Sequence, residues 1–397
     1  MERSAKSDDD VVIVEAVRTP IGRRNGGLGG FHSADLLGAV LREVVTRSGI
    51  DPAVVDQVVG GCISQVGQQG FNVTRTAWLT AGLPLTTPAT TVDSQCGSSQ
   101  QAATLAHGLL AGGLIDVAIA CGVEVMTRVP LGSGLSQGVG KAVPRSYYAS
   151  YEYTSQFEGA ERIADKWGIS RHDTDALGLD SQTRAAQAWA EGRFDAQVVA
   201  MDGPILGEDG KPTGDTIRVT RDEALRATTM EGLAALKPVA RPDGVHTAGT
   251  SSQIADGAAA VLLTTRRQAD ALGLDVRARI LGSCLVGSDP VLMLTGPIDA
   301  TRKLLGKHGM NAGDIDVFEI NEAFASVILA WEREIQPDHD RVNPNGGAIA
   351  VGHPLGGSGC ILLTKAVHEL ERSDGSLGLV SMCCGGGMAT GTLIERE

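Results

Sequence analysis

The stretch that decides the fold is residues 88–102, Pro-Ala-Thr-Thr-Val-Asp-Ser-Gln-Cys-Gly-Ser-Ser-Gln-Gln-Ala. A strand pattern ends at Val92, small polar residues follow, and a helix is predicted to begin after Cys96 and to stop at glycines 112–113. A cysteine at a helix N-terminus lies near unpaired N–H groups and the positive end of the helix dipole. We therefore expect the thiolate of Cys96 to be favoured, and the strand–turn–helix order indicates an α/β fold.

The order helix, strand, reactive loop, helix, strand occurs twice along the chain, at roughly residues 33–123 and 299–383. The first predicted helix starts at Ser33, whose hydroxyl is the expected N-cap, and the helix of the second copy is predicted from Asp299. We interpret this order as a weak internal duplication. In that alignment Cys96 and His353 occupy corresponding loops, so a pseudo-twofold arrangement would bring both helix N-termini to a shared centre.

Two further segments have unusual sequences. Residues 343–354 read Asn-Pro-Asn-Gly-Gly-Ala-Ile-Ala-Val-Gly-His-Pro, and residues 382–387 read Met-Cys-Cys-Gly-Gly-Gly. One contains His353 in a glycine turn, and the other contains a second cysteine beside glycines. Together with an activated Cys96 they indicate acyl transfer through a thioester.

The composition excludes several classes of protein. The 397 residues carry a formal net charge of −13 with no basic stripe, which argues against nucleic-acid binding. No run of 18 apolar residues exists, and the polar first ten residues do not form a signal peptide. Seven cysteines without metal-type spacing favour a reducing compartment over a disulfide framework, and no metal site is expected. The C-terminus is not a peroxisomal address. We therefore expect a cytoplasmic enzyme that binds neither a membrane nor nucleic acid.

The middle of the chain differs from both ends. Residues 129–256 contain charged helices, Pro/Gly/Asp loops and the four tyrosines of the protein, which fall between positions 147 and 153. We interpret this region as an inserted loop domain that binds substrate. The predicted domains are an N-terminal half (1–128, completed by 257–274), the inserted loop domain (129–256) and a C-terminal half (275–397).

The chain resembles the thiolase family of acetyl-CoA acyltransferases. The motifs that carry the resemblance occur in family order over nearly the whole chain, at residues 16–22, 91–102, 122–126, 247–252, 256–259, 295–298, 321–324, 352–354 and 383–387. The amino-acid sequence of residues 95–101 and 155–161 is most similar to that of degradative thiolases of actinobacterial steroid catabolism. The resemblance implies a duplicated α/β/α sandwich with five layers (αβαβα), acting on coenzyme A and acyl-CoA thioesters without a separate cofactor. It also implies a homodimer or homotetramer whose sheet edges pair across subunits.

The resemblance also implies roles for five residues. Cys96 would be the nucleophile, and His353 its general base and a donor to an enolate oxygen. Asn321 would help to hold a water beside His353. Cys383 would move the α-proton, and the N–H groups of Cys96 and Gly385 would form an oxyanion hole. On the residues alone, a buried inert cysteine, a turn histidine and a helix-capping asparagine are the alternatives.

Coenzyme A contacts are expected from a second group of residues. Ser252 matches a family serine that hydrogen-bonds the pantetheine arm, and Arg226 matches an arginine near the nucleotide end. Ala323 and Phe324 would line the pantetheine tunnel, and Met293 would form a pocket wall. For Arg226 a solvated side chain is the alternative, and for Phe324 a place in the core.

The chain departs from the family pattern at three places, one of which is Leu294, where the family commonly has glycine and the pocket shape changes. Cys384 stands where the family usually has an aliphatic or acidic residue. Near Gln156 and Phe157 the His-Met-Gly wording of short-chain thiolases is lost. This loss, together with the clustered tyrosines, indicates a roomier acyl pocket, with loop drift as the alternative.

The predicted function is thiolytic cleavage of a 3-oxoacyl-CoA to acetyl-CoA or propionyl-CoA plus a shortened acyl-CoA, including bulky steroid-derived chains. Such a reaction belongs to lipid degradation by β-oxidation or to steroid catabolism. The alternatives are acetyl-CoA C-acetyltransferase activity on acetoacetyl-CoA, a non-catalytic acyl-CoA binding protein, and a ketoacyl synthase-like condensing enzyme. The last uses a Cys-His-His site, whereas Cys383 stands here in the third role.

Overall fold

The computed structural model describes residues 6–135, 138 and 140–397, which form a mixed α/β fold. The strands are β1 (Val11–Arg18), β2 (Gly22–Arg23), β3 (Gln57–Gly61), β4 (Ala89–Val92), β5 (Val117–Val125), β6 (Met201–Leu206), β7 (Pro212–Val219), β8 (Ala255–Thr265), β9 (Ala278–Gly287), β10 (Val317–Ile320), β11 (Leu377–Cys384) and β12 (Met388–Arg396). The helices are α1 (Ser33–Ser48), α2 (Val73–Thr80), α3 (Ser98–Ala111), α4 (Gln156–Trp167), α5 (Arg171–Ala190), α6 (Met230–Ala234), α7 (Arg266–Leu272), α8 (Gly296–His308), α9 (Ala325–Ile335), α10 (Ala348–Val351) and α11 (Ser358–Ser373).

Ten strands form one mixed sheet in the order β4-β3-β5-β8-β1-β9-β12-β11-β10, with β2 beside β8. The two ends of this order repeat one topology. In the first half β3 is parallel to β4 and β5, and β8 and β1 follow antiparallel. In the second half β10 is parallel to β11, and β12 and β9 follow antiparallel. The counterpart of β4 is reduced to a single parallel bridge between Phe318 and Val342. The predicted duplication is therefore visible in the strand order.

The helices lie in three layers around the two halves of the sheet. Helices α1, α2 and α7 cover the outer face of the first half, and α8 and α9 cover the outer face of the second. Helices α3 and α11 pack between the halves. Strand β1 sends alternate side chains, such as Val11 and Val12, into clusters on opposite faces. Burial on both faces explains why this strand is almost continuously apolar.

The two central helices meet at their N-terminal turns. The Cys360 N–H donates to Ser99 Oγ at 3.0 Å. A Cβ on Gly359 would come within 2.2 Å of the backbone N of Gln100, so glycine is needed for this approach. Every residue of α11 from 358 to 370 is buried, as expected for a helix covered on all sides. The expected shared centre of two helix N-termini is present.

Two predicted helix starts were displaced. The N-cap of α1 is His32 rather than Ser33, because His32 Nδ1 accepts from the Ala34 N–H at 3.2 Å. Helix α8 begins at Gly296 rather than Asp299, since Pro297 occupies its first turn, where a missing N–H costs nothing.

The described part of 129–256 packs mainly on the second half, through contacts of α4 and α5 with α9 and of α5 with α10. Strands β6 and β7 form a separate two-stranded sheet. Strand β8 then returns between β1 and β5, so the first half is completed by residues far along the chain. The three predicted domain boundaries stay a prediction. None of the helices in the described ranges is long and apolar enough to cross a membrane.

Candidate active site

Cys96 lies in a tight turn between β4 and α3. Gln95 has a φ of 53°, a left-handed value that non-glycine residues rarely adopt. The turn is fixed by hydrogen bonds: Asp93 Oδ1 accepts from the Gln95 N–H at 2.7 Å, and Ser98 Oγ accepts from the Ser94 N–H at 3.0 Å. Cys96 is therefore held in place by its neighbours in sequence, directly before the first turn of the helix.

The sulfur of Cys96 is buried and contacts two backbone donors. The N–H groups of Gly385 and of Cys96 itself hydrogen-bond to it and favour the thiolate. Burial, together with the neighbouring Cys384, outweighs them and raises the pKa of Cys96 to about 12. The expectation that the helix N-terminus makes Cys96 a ready thiolate is therefore wrong. In this environment the thiol is protonated, and a base must remove its proton.

The turn between β11 and β12 supplies the second cysteine and the glycine donor. Cys383 is fully buried, and burial followed by the charges of Cys96 and Cys384 raises its pKa well above the usual range. Gly386 and Gly387 have φ values of 82° and 76°. These left-handed conformations bend the chain so that the Gly385 N–H faces the sulfur of Cys96.

Cys384 has a distinct position beside the nucleophile. Its sulfur accepts a hydrogen bond from the Gly97 N–H and interacts with Thr390, while burial raises the pKa of its thiol to about 12. A Cβ on Gly97 would lie 2.6 Å from that sulfur. Cys384 therefore fills the space under the first turn of α3 as a neutral thiol.

His353 is held from both sides of its ring. Its Nε2 lies 3.3 Å from Asn321 Nδ2, and its Nδ1 lies 2.6 Å from Ser358 Oγ. Ser358 Oγ donates its single proton to the Pro354 carbonyl at 2.9 Å, so it must accept from Nδ1–H. The proton of the neutral ring is thereby placed on Nδ1. Nε2 is then unprotonated, and its lone pair accepts a hydrogen bond from the Asn321 amide, which a proton taken up by Nε2 replaces.

The protonation state of His353 suits a base. Full burial lowers its pKa from 6.5 to about 4, because the imidazolium loses its hydration. The ring is therefore neutral at physiological pH.

The five predicted catalytic residues lie on four adjoining segments of the chain. Cys96, Cys383 and Gly385 interact directly through the sulfur of Cys96. Asn321 pairs with His353, and its N–H donates to the Ser381 carbonyl of β11 at 3.0 Å, two residues before Cys383. The remaining link is the contact between the N-terminal turns of α3 and α11, which follow Cys96 and His353 respectively.

Four of the five predicted coenzyme A contacts surround this centre. The Ser252 N–H donates to the Ala323 carbonyl at 2.9 Å. Ala323, Phe324 and Met293 belong to the same apolar cluster as Cys383. The Phe324 ring packs edge-on against Phe157 at 5.4 Å between centroids.

Arg226 is different, because its side chain is exposed; its Nη2 donates to the Ala248 carbonyl at 3.5 Å. The structure thus leaves it at the surface, away from the buried residues of the centre.

Sequence reasoning assigned no role to Glu124 or Ser358. The Glu124 carboxylate is fully buried and accepts from the N–H groups of Ile63, Ser64 and Gly356 at 3.0–3.1 Å and from Gln69 Nε2 at 2.7 Å. It therefore joins the end of β3 to the turn before α11. In the sequence, the signal for Glu124 was an acidic residue within an apolar strand pattern. The signal for Ser358 was its position five residues after His353.

Among the residues that the structure describes, no group of three or more His, Cys, Asp or Glu side chains could hold a metal ion.

Comparison with known proteins bears on this geometry. The family models described as the N-terminal and C-terminal domains of thiolase match residues 11–267 and 274–396. The chain belongs to the thiolase family. A steroid 3-ketoacyl-CoA thiolase of Mycobacterium tuberculosis is 43% identical, over 98% of this chain and 94% of the relative. A beta-ketoadipyl-CoA thiolase of Acinetobacter baylyi is 40% identical, over 97% of this chain and 98% of the relative.

The crystal structure of the Bacillus anthracis acetyl-CoA acetyltransferase superposes on this thiolase with a TM-score of 0.88. The two chains are 35% identical, and the match covers 98% of this chain and 99% of that one. The predicted fold class is therefore confirmed.

Proposed function

We propose that this thiolase cleaves 3-oxoacyl-CoA with coenzyme A, through an acyl group carried on Cys96. The observation that carries the proposal is the environment of the Cys96 sulfur. Two backbone N–H groups point at it, and a second buried cysteine adjoins it. A neutral histidine with an unprotonated Nε2 lies in the loop before α11, whose N-terminal turn contacts that of α3. Acyl transfer needs these four elements: a nucleophile, an oxyanion hole, an acid and a base.

The first half of the reaction breaks a carbon–carbon bond. His353 Nε2 takes the thiol proton of Cys96, and the thiolate attacks the C3 carbonyl of the substrate. The N–H groups of Cys96 and Gly385 stabilise the resulting oxyanion. When the C2–C3 bond breaks, its electron pair forms the enolate of acetyl-CoA, whose oxygen is held by Asn321, through a water, and by His353. The thiol of Cys383 donates its proton to C2, and acetyl-CoA leaves.

The second half releases the shortened chain. The Cys383 thiolate takes the thiol proton of a new coenzyme A molecule, whose sulfur attacks the acyl group on Cys96. The same oxyanion hole stabilises this second tetrahedral intermediate. Cys96 then leaves as a thiolate and regains its proton from His353, so that all groups return to their starting state.

The coenzyme would enter along residues 252, 323 and 324. Ser252 would bond the pantetheine arm, while Ala323, Phe324 and Met293 would line the channel to Cys383. Their membership of one cluster with Cys383 supports these roles. Arg226 would contact the nucleotide end, a role consistent with an exposed guanidinium.

For the acyl chain we propose a bulky, apolar substrate, including steroid-derived chains. The name of the Mycobacterium tuberculosis relative supports this choice. The alternative is acetyl-CoA C-acetyltransferase activity, which is the printed name of a Chromobacterium violaceum relative that is 40% identical over 98% of this chain and all of the relative. Rates with acetoacetyl-CoA and with a bulky 3-oxoacyl-CoA separate the two. Preference for the four-carbon substrate would overturn the bulky-substrate proposal.

Mass spectrometry after incubation with acetyl-CoA tests the proposed chemistry. We expect one acetyl group on the peptide that contains Cys96, and none in a Cys96→Ala variant. If coenzyme A binds but Cys96 gains no acetyl group, the protein is an acyl-CoA binding protein and the proposed reaction is wrong.

We also propose a cytoplasmic homodimer or homotetramer. Strand β4 is an edge of the large sheet and has partly exposed residues, so its free side could pair with a second copy. Sedimentation of the purified chain tests this, and a monomer at micromolar concentration would contradict it.

A further inference from the structure

Lys365 is a buried cation that the proposed reaction does not use. It lies on α11, and its side chain is 1% exposed. Its Nζ donates to Glu319 Oε2 at 2.7 Å and to the Gly346 carbonyl at 2.7 Å. We call these two hydrogen bonds the Lys365 bridge. Taking both charges out of water is costly, and apolar residues of similar size often serve stability equally well. The position of this bridge therefore needs an explanation.

The bridge joins the two segments that present the Asn321–His353 pair. Glu319 lies on β10, two residues before Asn321. Gly346 lies in the segment 343–352, which leads directly to His353. The Lys365 ammonium group thus links the strand that carries the Asn321 amide to the loop that carries the His353 imidazole, and sets the spacing between them.

The same helix face holds the other side of His353. Ser358, which accepts from His353 Nδ1, is seven residues before Lys365, so the two side chains lie on one face of α11, two turns apart. A small cavity adjoins this face and is lined by Asn321, Ser358 and Lys365, among others. The space there for the centre of a water molecule is ≈ 10 Å³, which is about one water.

A second connection limits how far the segments can separate. Asn343, at the start of the segment, bonds the N–H and the carbonyl of Ile320, each at 2.9 Å. It fixes the beginning of the segment, whereas its middle is fixed by Lys365 and by Glu322, whose carboxylate accepts from the Ile349 N–H at 3.1 Å. Loss of the bridge should therefore shift His353 without unfolding the loop.

We propose that Lys365 is a positioning residue, whose bridge to Glu319 and Gly346 sets the geometry between Asn321 and His353. The inference rests on the proposed function, in which that pair holds the enolate oxygen. The Lys365 bridge would act on the chemical step and leave the binding of coenzyme A unchanged.

The test replaces the ion pair by apolar side chains of similar length. Lys365→Met alone leaves the Glu319 carboxylate buried without a partner and is expected to be unstable. The double variant Lys365→Met/Glu319→Met removes both charges, so we expect a melting temperature close to that of the wild type. For this double variant we expect kcat for thiolysis to fall roughly 10- to 100-fold, as for a misplaced catalytic group, with KM for coenzyme A within about twofold.

Arg372→Met is the matched control. It removes a salt bridge to Glu369 from the same helix, seven residues beyond Lys365, and leaves Glu369 its hydrogen bond from Asn345 Nδ2, so the segment 343–352 stays anchored there. We expect its kcat to stay within about twofold of the wild type.

The outcomes separate the two levels of the argument. If the wild type acylates Cys96 and the folded double variant has the same kcat, the bridge serves stability alone and the positioning role is wrong. If the double variant loses kcat and KM rises in parallel, the effect is on binding, and the positioning role is again wrong. If the wild type never acylates Cys96, the proposed function itself fails.

Discussion

Ser358→Ala is the sharpest test of how the imidazole is prepared for its role. The substitution removes the acceptor that lies 2.6 Å from His353 Nδ1. The buried Nδ1–H then loses its partner, at a cost of about 1–3 kcal/mol. The ring can avoid this cost by moving its proton to Nε2 once the Asn321 amide has turned over, so that its Oδ1 accepts where its Nδ2 now donates. In that tautomer Nε2 cannot accept the proton of Cys96.

The expected loss of activity follows from this free energy. A preference of about 1–3 kcal/mol for the wrong tautomer lowers kcat/KM by roughly 5- to 150-fold. We expect the same loss in the rate of acetyl transfer to Cys96, measured by rapid quench and mass spectrometry. Ser326→Ala is the control, because its buried hydroxyl donates to the Ala160 carbonyl at 2.9 Å, outside this network. If folded Ser358→Ala reacts as fast as the wild type, the assignment of the proton to Nδ1 is refuted.

Three further predictions concern the surroundings of the site. Gly387→Ala should lower the melting temperature more than Gly386→Ala. Both glycines have a left-handed φ, but only at Gly387 would the new Cβ lie 2.7 Å from the Pro290 backbone. Equal effects of the two substitutions on thermal unfolding would contradict this prediction. Glu124→Gln should lower the free energy of unfolding, measured in urea, by about 1–3 kcal/mol. Each oxygen of the Glu124 carboxylate accepts two hydrogen bonds, so the NH₂ group of the glutamine must face two donors. An unchanged midpoint of urea unfolding would argue against this role of the carboxylate. The lowered pKa of His353 means that the folded protein holds the ring in its neutral form. The contribution of the neutral ring to stability is therefore complete above pH 6.5 and is lost as the pH falls towards about 4, a change of up to about 3 kcal/mol in the free energy of unfolding. The free energy of unfolding of His353→Gln, relative to the wild type, should therefore improve as the pH falls through that window, and a constant difference would show that the ring is not held neutral.

The sequence alone predicted the repeated topology and the segments that meet. Cys96 and His353 could be recognised because each precedes a helix in a short glycine-rich segment, and the two helices occupy equivalent positions in the duplication. Such signals are local in sequence, and the strand order that relates them follows from the alternation of strands and helices.

The features that sequence could not predict depend on contacts between distant residues. The pKa of Cys96 is set by burial under segments such as the Cys383 turn, nearly 300 positions away, and this outweighs the local effect of the helix N-terminus. The pairing of Glu319 with Lys365 is likewise invisible until β10 packs against α11. The roles of Ser358 and Glu124 are missed for the same reason, because their partners are defined only in the folded chain.

The position of β1 between β8 and β9 has a consequence for how the protein is made. A nascent chain exposes both edges of this apolar strand until residue 265 has left the ribosome, which at 5–20 residues per second takes roughly ten seconds to a minute. During that interval the first half of the sheet has an open seam, and the reactive thiol has no histidine beside it. Catalytic competence therefore arises only after residue 385 has been synthesised, and the seam is prone to aggregation until β8 and β9 have paired with β1.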